Sequence, residues 1–346
     1  MGYFFLPFSP VRRGLTSVLG GIFLLLLLGG CSRELDLREF HPVPTPIAEI
    51  KPPPLAMEHK SQPVAVVVEP VGDWRKRRVV EEDLERILSS KPFVSVVKVI
   101  EGRVEEAIKK LPSLFPTPKY LVVIRHISSQ VGLRCDGPGC PRWVTSPSQL
   151  PYYIQTNSDI PPEVEVIVKG KVEGNFYALP EMKRLTLLIG ECREVKAFPY
   201  LRDYSREIGY KISHRKSKKK IYFYRRPPLP DLSRFGCLSD AVYDLSKQVW
   251  RELAPLGYVM EIRRNSDGDF VAKVNLGEND GVEEGQKVIF YHLTKTRDPL
   301  RQKEIVEWHK IGEGEISNQV GSNFSWVWID DHTRLPEVGD IVKPLF

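Results

Sequence analysis

At 346 residues with 42% hydrophobic side chains, the chain can bury substantial cores, and its length predicts about two domains. The formal net charge of +6 at pH 7 is only mildly basic and demands no acidic partner. After residue 31 no apolar run approaches the ~20 residues of a membrane-spanning helix. The remainder is therefore predicted to be soluble, or at most to contribute a barrel element.

Residues 1–31 carry the first clear signal. Arg12 and Arg13 precede an apolar run over 18–28, and Leu28-Gly29-Gly30-Cys31-Ser32 follows at once. A positive segment, a short apolar core and small residues before a cut site make a secretory signal. The Leu-Gly-Gly-Cys run resembles the lipobox of bacterial lipoproteins. That resemblance implies a diacylglycerol on the Cys31 sulfur, removal of residues 1–30, and acylation, typically by palmitate, of the new N-terminus. Several acyl chains on one residue anchor stably where a single chain does not. Ser32 in place of Asp implies, in the same pattern, a membrane anchor on the periplasmic face of the outer membrane. The bland alternative is an ordinary cleaved signal with an incidental Cys. Arg12-Arg13 also fits a twin-arginine signal, but the residues after it match poorly, which favours the general secretion route. Loss of the signal removes two arginines and leaves a net charge of +4.

Four other cysteines remain, an even number in a compartment that permits disulfides. Cys135 and Cys140 flank Asp-Gly-Pro-Gly and are predicted to close a short disulfide turn. Cys192 and Cys237 either pair or stay as two buried thiols. No Cys or His pair has zinc spacing, so neither a metal nor a cofactor is expected.

From residue 32 to about 62 the chain has no periodicity and many prolines, including Pro42, Pro44, Pro46, Pro52, Pro53 and Pro54. It is predicted to be an extended tether that holds the folded part several tens of Å from the membrane, at ~3.1 Å per residue. Residues 64–68 then read as a buried strand. Val80, Leu84, Ile87 and Leu88 mark one helical face, and Pro92 stops it. Residues 93–100 and 119–124 are further strands, with a short helix at Val104, Ala107, Ile108 and Leu111 between them. Residues 128–161, rich in Pro, Gly and Ser, are predicted to be a long surface loop. Over 163–176 the alternation is clean: Val164, Val166, Val168, Val172 and Phe176 share one face. Residues 184–195 return as the hairpin partner. Over 211–226 positive charge gathers with Tyr222, Phe223 and Tyr224 in what reads as a basic loop. Leu238, Ala241, Val242, Leu245, Val249 and Leu253 predict an amphipathic helix, ended by Pro255 and Gly257. The last ninety or so residues alternate in short segments, 270–276, 287–293 and 323–330, separated by turn residues. This pattern predicts a small β-barrel or sandwich, with Trp326 and Trp328 in its core.

The layout over about 63–255 resembles the domain shared by curli-secretion (CsgG-like) lipoproteins, the TolB amino-terminal domain and the middle domain of flagellar assembly protein T. Val274-Asn-Leu-Gly277, Asp280-Gly-Val-Glu-Glu-Gly285, Val288-Ile-Phe290 and Val338-Gly-Asp-Ile-Val342 resemble that last protein's carboxy-terminal domain. The resemblance implies an α+β chain: an α/β sandwich followed by a small C-terminal β-barrel. The expected organisation is signal 1–30, Pro-rich tether 31–62, α/β domain 63–255 and all-β domain 256–346. Gly277, Gly281, Gly285 and Gly339 are expected at turns, where positive φ requires glycine. The relatives are structural, forming or supporting rings at the outer membrane or building secretion assemblies, and they supply no catalytic residues.

Searching for chemistry agrees with this. There is no Gly-x-Ser-x-Gly elbow, no phosphate-cradling loop and no His-Glu-x-x-His. Asp330, Asp331 and His332 fall where a strand ends and a turn is due, which favours a turn over a carboxylate–imidazole site. Lys216, Lys218, Lys219, Lys220, Arg225 and Arg226 suit either a solvated loop or an anionic partner: lipid, lipopolysaccharide phosphate or an acidic protein. Nucleic acid is not expected outside the cytoplasm. The Val164 face qualifies only marginally as a transmembrane strand, and its partner separates its faces poorly. The chain thus reads as a non-enzymatic lipoprotein scaffold, a ring component or homo-oligomer with envelope partners. The rival readings are a secretion pore, an activator of a peptidoglycan synthase and an enzyme. Labelled palmitate is expected to enter the protein and to be lost from a Cys31→Ala variant; incorporation into that variant rejects the anchor.

Overall fold

The computed structural model describes residues 34–346 except 71, 72, 115, 142, 143, 145, 213, 214, 230–236, 299 and 301, with backbone alone for 208–217. Cys31, the signal segment and the Lys216 side chain therefore lie outside the described residues.

The chain starts with a two-residue strand β1 (His41–Pro42) and a single helical turn α1 (Pro54–Met57). Strand β2 (Gln62–Val68), helix α2 (Trp74–Leu88), strand β3 (Val94–Glu101), helix α3 (Val104–Lys110) and strand β4 (Tyr120–Asp136) follow. Asp73 caps α2 by accepting from the Arg75 amide at 3.1 Å. The predicted stripe Val80, Leu84, Ile87 and Leu88 is the face it buries. Then come β5 (Tyr153–Thr156), β6 (Glu163–Ala178), β7 (Lys183–Pro199), β8 (Leu201–Ile212), β9 (Arg215–Arg225) and α4 (Leu238–Leu253). The C-terminal part holds β10 (Gly257–Arg264), β11 (Phe270–Val274), β12 (Lys287–Arg297), β13 (Glu304–Val320), β14 (Ser325–His332) and β15 (Ile341–Pro344).

A five-stranded sheet runs β3-β2-β4-β6-β7, parallel among its first three strands and antiparallel thereafter. Helices α2 and α4 cover one face, with Val64, Val66, Val122 and Phe176 beneath them. α3 covers the other face over Ala65, Val67, Leu121 and Val123. A three-stranded sheet β5-β9-β8 packs its Ile154 and Tyr224 against Leu133, Val164, Val166 and Val168 at the far end of the long strands. The C-terminal strands close a six-stranded antiparallel barrel in the order β10-β11-β14-β13-β12-β15, sealed by pairing of β10 with β15. The chain is thus α+β, with a closed barrel after the helix-bearing sheet.

Several expectations are corrected. Residues 128–136 are strand rather than loop, because β4 continues to Asp136 in register with β6. Backbone pairing needs no apolar alternation, so Ser128, Ser129 and Gln130 hide the strand from a hydrophobicity reading. Residues 211–212 and 215–225 are likewise strand rather than loop, in the paired strands β8 and β9. Among its described side chains all of those in β8 are exposed and only Tyr224 of β9 is buried, so no apolar alternation marks the hairpin. Trp326 and Trp328 are buried, but on the outside of the barrel, whose interior takes Val327 and Ile329 from the same strand.

The larger correction concerns residues 34–62. This segment is not a free tether but a strap along the barrel. Leu35 and Phe40 pack on Val271, Trp326 and Trp328. β1 adds to the edge of β10, and the Val43 amide donates to the Ile262 carbonyl at 2.9 Å. Ala56 is buried with Leu293 and Ile341. The proline count masks three apolar anchors, and proline tolerates edge pairing because it has no N–H to leave unsatisfied there.

Two disulfides are present. Cys135–Cys140 closes a turn of sequence separation 5 at the end of β4. Cys192–Cys237 spans a separation of 45 and ties β7 to the N-terminus of α4. Between them α4 sits so close to β7 that a Cβ on Gly190 would overlap the Ala241 carbonyl. Loop-closure entropy gives ~2 kcal/mol for the short ring and ~4 kcal/mol for the long one. Urea unfolding is therefore expected to show a clearly larger loss of stability for Cys192→Ser with Cys237→Ser than for Cys135→Ser with Cys140→Ser. Equal losses reject this account.

Candidate functional site

The sequence-predicted basic residues fall on β9 and its exit. Lys218, Lys219, Lys220 and Arg225 are exposed, while Arg226 is half-buried and donates to the Pro147 and Leu150 carbonyls at 2.9 and 3.3 Å. Arg226 therefore holds the loop before β5 rather than serving a free surface. Glu207 on β8 lies 3.5 Å from Lys218. Arg202 stacks over Tyr222 at 4.4 Å, and Lys220 approaches the same ring at 5.5 Å. Tyr204 and Phe223 stack at 4.3 Å across the ladder. Sequence reading found the cations and the aromatics of β9, but it missed Arg202 and Tyr204, which reach the site only by pairing of β8.

A second site was not visible in the sequence. A cleft of about 360 Å³ lies where strap, five-stranded sheet and barrel meet, lined among others by Glu58, His59, Tyr120, Tyr291, Trp308 and Lys343. At its wall His59 Nδ1 stands 2.6 Å from Asp280, whose side chain is 5% exposed. Asp280 also accepts from the Gly277 amide at 2.9 Å. His59 Nε2 lies 3.1 Å from the Ala56 carbonyl, which also accepts from Asn275 Nδ2 at 2.8 Å. The Asp280 hydrogen bond raises the His59 pKa above its ordinary value, and burial only partly opposes it. The arrangement fastens strap to barrel. His59 was assigned to the tether, so its partner, more than two hundred residues on, could not be read from local pattern.

A third cluster brings His292, Glu337 and Asp340 together, with ligand-type atoms within 4.8 Å of one another. His292 Nδ1 is 2.6 Å from Asp340, and the Glu337 amide donates to Asp340 at 2.7 Å. Glu337 also pairs with Arg334. Burial raises the Asp340 pKa. These bonds already occupy the groups and fix the turn before β15, so the cluster is explained without an ion. His309 meets Thr294 at 2.8 Å, and Asp330 pairs with Lys287 at 3.1 Å. Asp330, Asp331 and His332 are the last three residues of strand β14.

The turn glycines divide. Gly281, Gly285 and Gly339 have φ of +73°, +79° and +101°. Gly277 does not: its φ is −140°, in extended backbone. Glycine is needed there for room, because a Cβ would run into the Gly321 and Ser322 backbone. No protein-family model and no curated protein sequence matches the chain.

The raised His59 pKa fixes the sign of a pH effect. The pair's contribution is complete below the unfolded histidine value near 6.5 and is lost as pH rises through the higher folded value. Removing the imidazole leaves the buried carboxylate short of a partner, at ~1–3 kcal/mol. The stability gap between wild type and His59→Ala, measured by urea unfolding, is expected to be widest in mild acid and to narrow with rising pH. A gap independent of pH rejects the charged pair.

Proposed function

We propose that the protein is a non-enzymatic outer-membrane lipoprotein and a scaffolding part of an envelope machine, a flagellar basal-body ring or a related secretion assembly. The observation that carries this reading is a hairpin that outruns the barrel. β12 and β13 pair from Lys287↔Glu315 out to Arg297↔Glu304, with one bulge between Phe290 and Tyr291. At the outer end Ile305, Val306 and Trp308 are 44–45% exposed. A ladder that presents apolar side chains to solvent suits docking onto another protein.

The likeness of the barrel's turn residues to flagellar assembly protein T, and of the helix-bearing sheet to the CsgG-like and TolB domains, supports the setting. The strap supports a short-range role. From Cys31 to Leu35 four residues reach at most ~14 Å, so a lipid on Cys31 would keep the barrel near the bilayer. That speaks against an activator needing long reach through the cell wall. The apolar face of β6 is taken up by Tyr224, Ile154 and α4, which speaks against a pore built from it. His59 and His292 make fold-holding bonds with the buried Asp280 and Asp340, which favours a scaffold over an enzyme.

A photo-crosslinking residue at position 305 is expected to capture basal-body or secretion-assembly components, or a second copy, in cells. The same residue at exposed position 85 on α2 is expected to capture none of these. Equal capture from both positions, or normal basal bodies and secretion in a deletion strain, rejects the proposal.

A further inference from the structure

The exposed face of the β5-β9-β8 sheet has no partner among the described residues, and its chemistry is mixed. Residues opposite one another across a ladder share a face. Tyr153, Arg225 and Leu201 are opposite each other, and so are Gln155, Phe223 and Tyr204. Ile154 and Tyr224 point the other way, into the core. The outward face thus shows Leu201, Tyr153 and Tyr204 at 45%, 48% and 53% exposure. Arg206, Lys219 and Arg225 are exposed cations on this face, whereas Arg202, Lys218, Lys220 and Glu207 stand on the opposite one.

We infer that this face is a second membrane contact, lying on the headgroups of an anionic phospholipid surface. Tyrosines and a leucine beside Arg206, Lys219 and Arg225 match such an interface, where amphipathic rings sit at headgroup level and basic side chains meet phosphates. An acidic protein surface would satisfy the cations but press its own charges on Leu201, Tyr153 and Tyr204. The hairpin does not cross the bilayer. Consecutive Lys218, Lys219 and Lys220 charge both faces of β9, and a spanning strand needs one uncharged face. Strand β4, 17 residues long, begins beside the barrel at Tyr120 and ends at Asp136 beside this sheet. At ~3.3 Å per residue it separates the two ends by ~55 Å, so this contact would lie far from the barrel.

The contact is independent of any lipid on Cys31, so residues 32–346, which include every described residue, suffice to test it. Co-sedimentation is run with vesicles one-third phosphatidylglycerol and two-thirds phosphatidylcholine, and with phosphatidylcholine alone. Binding is expected only to the anionic vesicles and is expected to weaken with salt. Arg206→Gln, Lys219→Gln and Arg225→Gln together are expected to weaken it about a hundredfold. Tyr204→Ser with Leu201→Ser is expected to weaken it about tenfold without changing the salt dependence. Lys295→Gln, Lys303→Gln and Lys310→Gln, an equal charge loss on the barrel hairpin, is expected to leave it intact. Melting temperatures identify any variant that fails to fold, and the barrel variant keeps the comparison decisive. Equal binding to neutral vesicles, no binding to anionic ones, equal losses from both cation triples, or binding to polyglutamate alone each overturn the inference.

Discussion

The face of β6 that carries Val164, Val166, Val168, Val172 and Phe176 is buried from end to end, and two different layers close on it. Helix α4 covers the half near the barrel, and the β5-β9-β8 sheet covers the far half. One strand therefore belongs to two cores. Glycines at 170, 174 and 190 let that happen, because each lies where a side chain would collide with a neighbouring carbonyl or sulfur. The Cys192–Cys237 bond sits at the boundary between the two layers and fixes where the helix begins. If this face lost its apolar character, the basic hairpin would have nothing to stand on.

The barrel is joined to this body by a few specific contacts. Phe346, the last residue, packs against Phe93 at 4.9 Å, and Lys91 lies over both Phe346 and Trp250. Lys91 also pairs with Glu283 at 2.7 Å, and Arg251 donates to the Phe346 carbonyl at 2.9 Å. The strap completes the joint by crossing the barrel and placing His59 on Asp280 before the chain enters β2. Strap, barrel and sheet thus meet at one cleft, and a shift of the strap is a shift of the cleft wall.

Buried polar groups here serve geometry. Asp280 ties the strap to a barrel turn, and Asp340 ties His292 to the turn before the last strand. Both aspartates accept a backbone amide three residues away, which is the turn chemistry that their sequence context suggests. The imidazoles come from far along the chain, and their arrival is what turns a local turn motif into a tertiary bond.

Local pattern alone determined much of the helix-bearing part: the α2 and α4 stripes, the alternation of β6, the parallel strands β2 and β3, and the alternating segments of the barrel. Each of these is written in the spacing of apolar side chains, because burial of one face is what makes the element. The extension of β4, the β8–β9 hairpin and β13 were not legible, since a ladder of backbone bonds tolerates polar side chains wherever one face meets water. The strap was misread for the opposite reason: its anchors Leu35, Phe40 and Ala56 are too few and too widely spaced to form a period, and they acquire a role only against Trp326, Trp328 and Leu293. Charge on β9 was plain in the sequence. That Lys219 and Arg225 share a face with Tyr153, Tyr204 and Leu201 was decided by strand pairing, which brings together side chains that no sequence window contains.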